Sequence, residues 1–289
     1  MGDLPADVLA AYLDHLRMQG RSEMTLRGRR GALGRLARQL PGPVLEATAA
    51  DLLAWRQAMT VGPVSVRSYV SHVQQFYAWA VRSGLLSSSP AAGIPVPRIG
   101  RRLPRPIGTE DLFTAVAGAP DRIRLWLVLA AWCGLRAKEI ALLRRECLLL
   151  TSAPPVLLVA TGATKGWHER TIPLARFTLD EIAAAQLPVS GWCFARSDGR
   201  PGPNRPAHVS ALVNAYLRDR GIPATLHMLR HWFGTEAYAV YRDLRAVQEL
   251  MGHASVQSTQ GYADWNRAAA AATVEALPVP PRLRVVGER

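Results

Sequence analysis

The stretch "PPVLLVATGATKGWHERTIPL" runs from Pro154 to Leu174. It opens on an apolar run at 156–160 and closes on a second extended run at 168–174, with a Gly- and Thr-rich turn between them. Two such runs flanking a turn of small residues make a β-hairpin. Lys165 sits at the hairpin tip, where a lysine is ordinarily just solvated.

The sequence on either side has the helical period instead. Upstream, Thr109 reads as a cap on "EDLFTAVAGA". An apolar helix follows over 121–133, breaks at Gly134, and gives way to another from Arg136 to about Arg145. Downstream, the chain reads as helical from about His208. One hairpin among helices predicts a fold that is mainly α with a small β-sheet, α+β in this half of the chain.

Further upstream, from Leu4 to about Leu86, apolar residues recur three and four apart in about four segments. The first stops at Gly20, and the others are expected to start at Ser22, Thr48 and Ser65 as caps. Then "SSSPAAGIPVPRIGRRLPRPIG" is dense in proline and arginine. Proline stops helices and stiffens an extended chain. These shifts predict a helical domain over 1–95, a basic linker over 96–108, a second domain over 109–267, and a C-terminal helix and tail over 268–289.

Lys and Arg number 35 against 22 acids, a formal charge of +13, and 49% of the residues are apolar. A folded protein this basic is expected to meet a polyanion, nucleic acid being the commonest. The arginines of the linker, Arg98, Arg101, Arg102 and Arg105, are candidate phosphate contacts. Cys133, Cys147 and Cys193 are odd in number and form no CxxC pair, which argues against a disulfide framework and fits a reducing cytoplasm. The first residues carry acids where a signal peptide carries basic residues. The longest apolar run, "LWLVLAAWCGL", is shorter than the roughly 20 residues that span a membrane.

Several polar residues stand in unusual surroundings. Arg136 follows the glycine break and could simply complement the dipole of the preceding helix. His227 and Arg230 share a helix face in "LHMLRHWFGTEAY". A buried guanidinium needs an anion, and no acid lies close in sequence before Glu236, so a bound phosphate is one candidate partner. His253 and Tyr262 belong to "HASVQSTQGYADW"; alone, such a tyrosine is core or surface. Together, two arginines, a lysine, two histidines and a tyrosine suit in-line chemistry on a phosphodiester. Arginine forks match non-bridging oxygens, a tyrosine hydroxyl can attack, and a lysine or histidine can protonate the leaving alkoxide. A metal hydrolase built on His227 and His231 is a competing reading, weakened because no Glu follows His227 and Arg230 adds a cation.

Four boxes in order resemble the tyrosine site-specific recombinases, the phage-integrase family: "CGLRAKEI", "TKGWHERTIPL", "HMLRHWFGT" and "MGHASVQSTQGY". The departures are Cys133 for Thr, Gly234 for Ala, Met251 for Leu, and Trp167 and His168 beside the lysine. The resemblance implies a helical core-binding (SAM-like) domain ahead of an α+β catalytic domain. It implies that Arg136 and Arg230 clamp the scissile phosphate, and that Tyr262 attacks it to leave a 3′-phosphotyrosyl enzyme and a free 5′ hydroxyl. Lys165 is then the general acid, His227 an acid/base near the tyrosine, His253 a phosphate hydrogen-bond donor, and Glu139 an acid that orients the first box.

The expected partner is double-stranded DNA at specific sites. A monomer in solution and a tetramer on two duplexes fit this, with no metal, cofactor or membrane. The short stretch before the first helix suggests a compact form without an arm-binding domain. The C-terminal sequence favours integration of phage or mobile-element DNA over Xer-type dimer resolution. A DNA-binding regulator without catalysis is the alternative of another class.

Overall fold

The computed structural model describes residues 2–100, 103–160, 169–196 and 198–252, apart from the side chain of Tyr241. Lys165, His253, Tyr262, Arg101 and Arg102 lie outside the described residues, as does the segment 268–289. The chain divides into two compact units, residues 1–101 and 102–289.

The first unit holds α1 (Ala6–Met18), α2 (Glu23–Gln39), α3 (Ala49–Gln57) and α4 (Pro63–Arg82). Gly20 takes a positive φ just past α1. The Ser22 hydroxyl accepts from the Thr25 N–H, and Thr48 exchanges hydrogen bonds with Asp51 in a capping box. The expected Ser65 cap is a correction. α4 starts earlier, with Gly62 at the cap and Pro63 at the first helical position, where its missing N–H costs nothing. Leu33, Leu36, Val70, Val73 and Phe76 meet in the core of this unit and are fully buried.

The second unit starts with α5 (Thr109–Ala117), α6 (Asp121–Trp132) and α7 (Ala137–Ala141). Thr109 is not the cap; Gly108 is, and the Thr109 hydroxyl accepts from the Trp232 indole N–H at 3.0 Å. The helix expected to reach Arg145 stops at Ala141, and a 3-10 turn covers 145–147. Then come β1 (Leu148–Leu149), β2 (Val156–Val159), β3 (Arg170–Pro173), α8 (Arg176–Ala184), α9 (Pro206–Asp219), α10 (Leu226–Tyr241) and α11 (Leu244–Met251). The sheet is antiparallel in the order β1-β2-β3, so the expected hairpin gains a short third strand.

α6 is the centre of this unit. Residues 125–131 are all at most 1% exposed, and α5, α7, α8, α9 and α10 pack around the helix. A helix apolar on every side must be enclosed in this way. Among the described residues no helix is long and apolar enough to cross a membrane.

Candidate active site

Where α6 ends, Gly134 takes φ +60°, and the Leu135 N–H reaches back to the Leu129 carbonyl. A side chain at Gly134 would strike the Phe233 ring of α10, so only glycine allows this approach. The reversal delivers Arg136 to the N-cap of α7. Three residues on, Glu139 turns back. Its Oε2 accepts from the Arg136 N–H at 2.9 Å, and its Oε1 accepts from Arg136 Nη1 at 2.8 Å.

Glu139 is 2% exposed and serves more than Arg136. Arg170 lies at an inward position of β3, opposite Val159 and two residues from buried Ile172. Its Nη1 and Nη2 donate to the two Glu139 oxygens at 3.1 and 2.8 Å. Arg230, on α10 and 1% exposed, brings Nη1 to 3.8 Å from Glu139 Oε2. Burial alone would push the Glu139 carboxyl up. The Arg170 hydrogen bonds and charge, the Arg230 charge and the Arg136 N–H outweigh that and hold it below the ordinary carboxylate range.

The arginines also hold the end of α11, where Gly252 takes a left-handed φ of +60°. Helix ends leave carbonyls without intrahelical donors. The Leu250 carbonyl accepts from Arg170 Nε at 2.8 Å, the Met251 carbonyl from Arg230 Nη2, and the Gly252 carbonyl from Arg136 Nη2 at 3.4 Å. Arg230 Nη1 donates to the Gly134 carbonyl. Arg230 thus has protein partners of its own, Glu139 and two carbonyls, none of them an acid close to it in sequence.

His227 opens α10, exposed on one side and set against His231 on the other, with ring centroids 4.4 Å apart. That partial burial, then the charges of Arg230 and Arg136, lowers its pKa below the usual histidine value. Burial, then His227 and Arg230, lowers His231 to about 4. Among the described residues no group of three or more His, Cys, Asp or Glu is arranged to hold a metal ion.

The site therefore gathers Arg136, Glu139, His227 and Arg230 from two boxes more than 80 residues apart in sequence, with Arg170 from a third. Arg170 received no role from the sequence, although its alternation with Ile172 marks it as an inward arginine in need of a carboxylate. Arg98 and Arg105 are exposed, away from any helix or strand.

Residues 109–268 match the phage integrase family. The chain belongs to that family. It is similar to tyrosine recombinase XerC of Chromobacterium violaceum, 32% identical over 278 residues and 89% of each chain. It is also similar to tyrosine recombinase XerC of Rhodospirillum centenum, 34% identical over 88% of this chain and 80% of the relative. A lambda integrase dimer bound to a core site shares the fold, with a TM-score of 0.73 at 18% identity, covering 97% of this chain and 99% of that one. As a member of the family the chain is a tyrosine recombinase, an enzyme of site-specific DNA cleavage and strand transfer. Its architecture, mainly helical with a small antiparallel sheet, is that of the lambda integrase fold.

Proposed function

We propose that this recombinase cleaves each strand through a 3′-phosphotyrosyl intermediate, with Arg136 and Arg230 on the scissile phosphate. The observation that carries the proposal is the convergence of both arginines on buried Glu139, with His227 one helical turn from Arg230. Three guanidiniums against one carboxylate leave two positive charges. Such a site suits a phosphodiester, and suits still better the transition state, where negative charge on the phosphoryl oxygens increases.

The Tyr262 oxygen attacks phosphorus as the bond to the 5′ oxygen breaks. Lys165 gives a proton to that oxygen, leaving a 5′ hydroxyl. His227, whose pKa is lowered by burial and by the charges of Arg230 and Arg136, takes the phenol proton. His253 donates a hydrogen bond to the phosphate. The phosphotyrosine keeps the energy of the broken ester, so rejoining to a second 5′ hydroxyl draws on no nucleotide hydrolysis.

The substrate is duplex DNA at specific sites, met in the cytoplasm. Strand exchange proceeds through a Holliday junction in a tetramer on two duplexes. The segment 268–289 is proposed to pass between protomers. An apolar groove of about 250 Å³, lined by Trp132, Trp232, Val240 and Leu250 among others, is a candidate receiving surface for it. Arg98, Arg101, Arg102 and Arg105 are proposed to lie along phosphates.

Integration of phage or mobile-element DNA is one role for this chemistry. Resolution of chromosome or plasmid dimers is the second, and the XerC relatives matched over nearly the whole chain favour it. Sequencing the junctions of recombined DNA separates the two roles. The chemistry is tested by incubating enzyme with a nicked duplex that loses its 5′ fragment on cleavage and running a denaturing gel. The wild type should form a covalent band and Tyr262→Phe should bind DNA without forming one. A covalent band from the Phe variant removes Tyr262 as nucleophile.

A further inference from the structure

The proposed chemistry gives Arg170 nothing to do. Its side chain is 6% exposed. Yet its fork is fully committed, with two nitrogens on the oxygens of Glu139 and Nε on the Leu250 carbonyl. A Cβ added to Gly252 would lie only 2.8 Å from Nη1, so the guanidinium rests directly against the backbone just past α11.

Two consequences follow from this placement. First, the consecutive carbonyls of 250, 251 and 252 are held by Arg170, Arg230 and Arg136, which arrive from β3, α10 and the start of α7. Arg170 is the member of this set to which the proposed chemistry gives no phosphate, and its Nε holds the Leu250 carbonyl at the end of α11. Second, Arg170 engages both oxygens of Glu139, leaving Arg136 one side-chain bond of 2.8 Å to that carboxylate. Without Arg170, both oxygens would be open to a bidentate fork from Arg136, the strongest pairing these groups make. That pairing would turn the fork of Arg136 toward Glu139 and away from a phosphate.

We infer that Arg170 is a positioning residue for DNA cleavage. It takes up the charge of Glu139 and pins the end of α11, so that Arg136 and Arg230 keep their charge for the scissile phosphate. This rests on the reading of those two arginines as phosphate ligands. It places no new group on the reacting atoms.

The test compares the full-length wild type, Arg170→Met, Arg170→Lys, Glu139→Gln and the Glu139→Gln/Arg170→Met double variant. Single-turnover covalent trapping on the nicked duplex gives the rate, fluorescence anisotropy the affinity for intact duplex, and circular dichroism the folded fraction. Arg170→Met should slow trapping about 10²-fold, in the range for loss of a positioned charge donor, with affinity changed less than about threefold. Removing the carboxylate as well should return at least about tenfold of that rate, because the competitor for Arg136 is gone. Arg170→Lys keeps the charge without the fork and should fall between the wild type and Arg170→Met. It decides the matter if the Met variant does not fold. A double variant no faster than Arg170→Met, or a folded Lys variant that cleaves at the wild-type rate, overturns the inference. Failure of the wild type itself to form the adduct would instead overturn the proposed chemistry.

Discussion

Replacing Glu139 by alanine should be among the most damaging single changes in the second unit. Glu139 and Arg170 are 1% and 6% exposed at their side chains, and Arg230 is 1% exposed. Alanine leaves two buried guanidiniums without their anion and frees the Arg136 N–H. Breaking a buried ion pair from one side costs about 3–5 kcal/mol, because the remaining charge is left uncompensated. For a unit of this size, about 2–4 °C of melting temperature is lost per kcal/mol, so the transition should fall by roughly 6–20 °C. Scanning calorimetry measures it, with the unaffected transition serving as internal reference. The sign with pH follows from the depressed carboxyl. Its contribution is fully present above the unfolded glutamate pKa of about 4.3 and is lost as pH falls through the lower folded value. The gap between wild type and Glu139→Ala should therefore hold steady from pH 8 to 5 and narrow only in stronger acid. A loss under about 1 kcal/mol at pH 7, within the range of an exposed ion pair, would refute the idea that Glu139 holds the arginines together.

Three further outcomes are expected. Lys165→Ala should cleave ordinary DNA about 10²–10⁴-fold more slowly, the usual contribution of a general acid, and a 5′-thio leaving group should restore the rate; equal defects on both substrates would make Lys165 a binding residue only. Neutralising Arg98, Arg101, Arg102 and Arg105 together should flatten the salt dependence of DNA binding, whose log–log slope is about −0.9 per phosphate neutralised; an unchanged slope places these side chains off the DNA. Deleting 268–289 should leave half-site binding nearly intact while cooperative binding to a full site and recombination collapse; normal site pairing by the truncated protein would show that the segment is not exchanged.

What the sequence disclosed followed the range of the interactions. The caps at Ser22 and Thr48, the stop at Gly20 and the hairpin strands are decided within a few residues, and all were legible. The start of α4 was misplaced although its signal was local, because Gly62-Pro63 reads as a helix start only if proline is allowed the first helical position. β1 has two residues, too few to show an alternation. The site behaved differently. The boxes marked Arg136, His227 and Arg230, but the anion that Arg230 needed lies 91 positions away in Glu139, and its closer partners are main-chain carbonyls that have no sequence signature. Arg170 went unassigned for the same reason. Its inward register is local and readable, whereas its carboxylate and the carbonyl it holds are brought to it only by the packing of β3 on α11.

The charge of the cluster explains why one acid, and not two or none, belongs in a site for an anion. Three guanidiniums this close would repel one another and resist burial without Glu139. A second carboxylate would leave a single positive charge, which the ground-state phosphodiester would already balance. With one, two positive charges remain. A phosphodiester in its ground state carries a single negative charge and leaves the site undercompensated. The pentavalent transition state carries more, and approaches balance with the same fixed groups. Interactions that strengthen between ground and transition state are the ones that accelerate a reaction, and in the proposed chemistry Arg136 and Arg230 would supply them from places set by the glycine turn before α7 and by α10. The same reasoning says why lysine is a poor substitute at Arg230. A compact ammonium cannot span the Gly134 and Met251 carbonyls while lying near Glu139, whereas a planar fork does all three from one side chain.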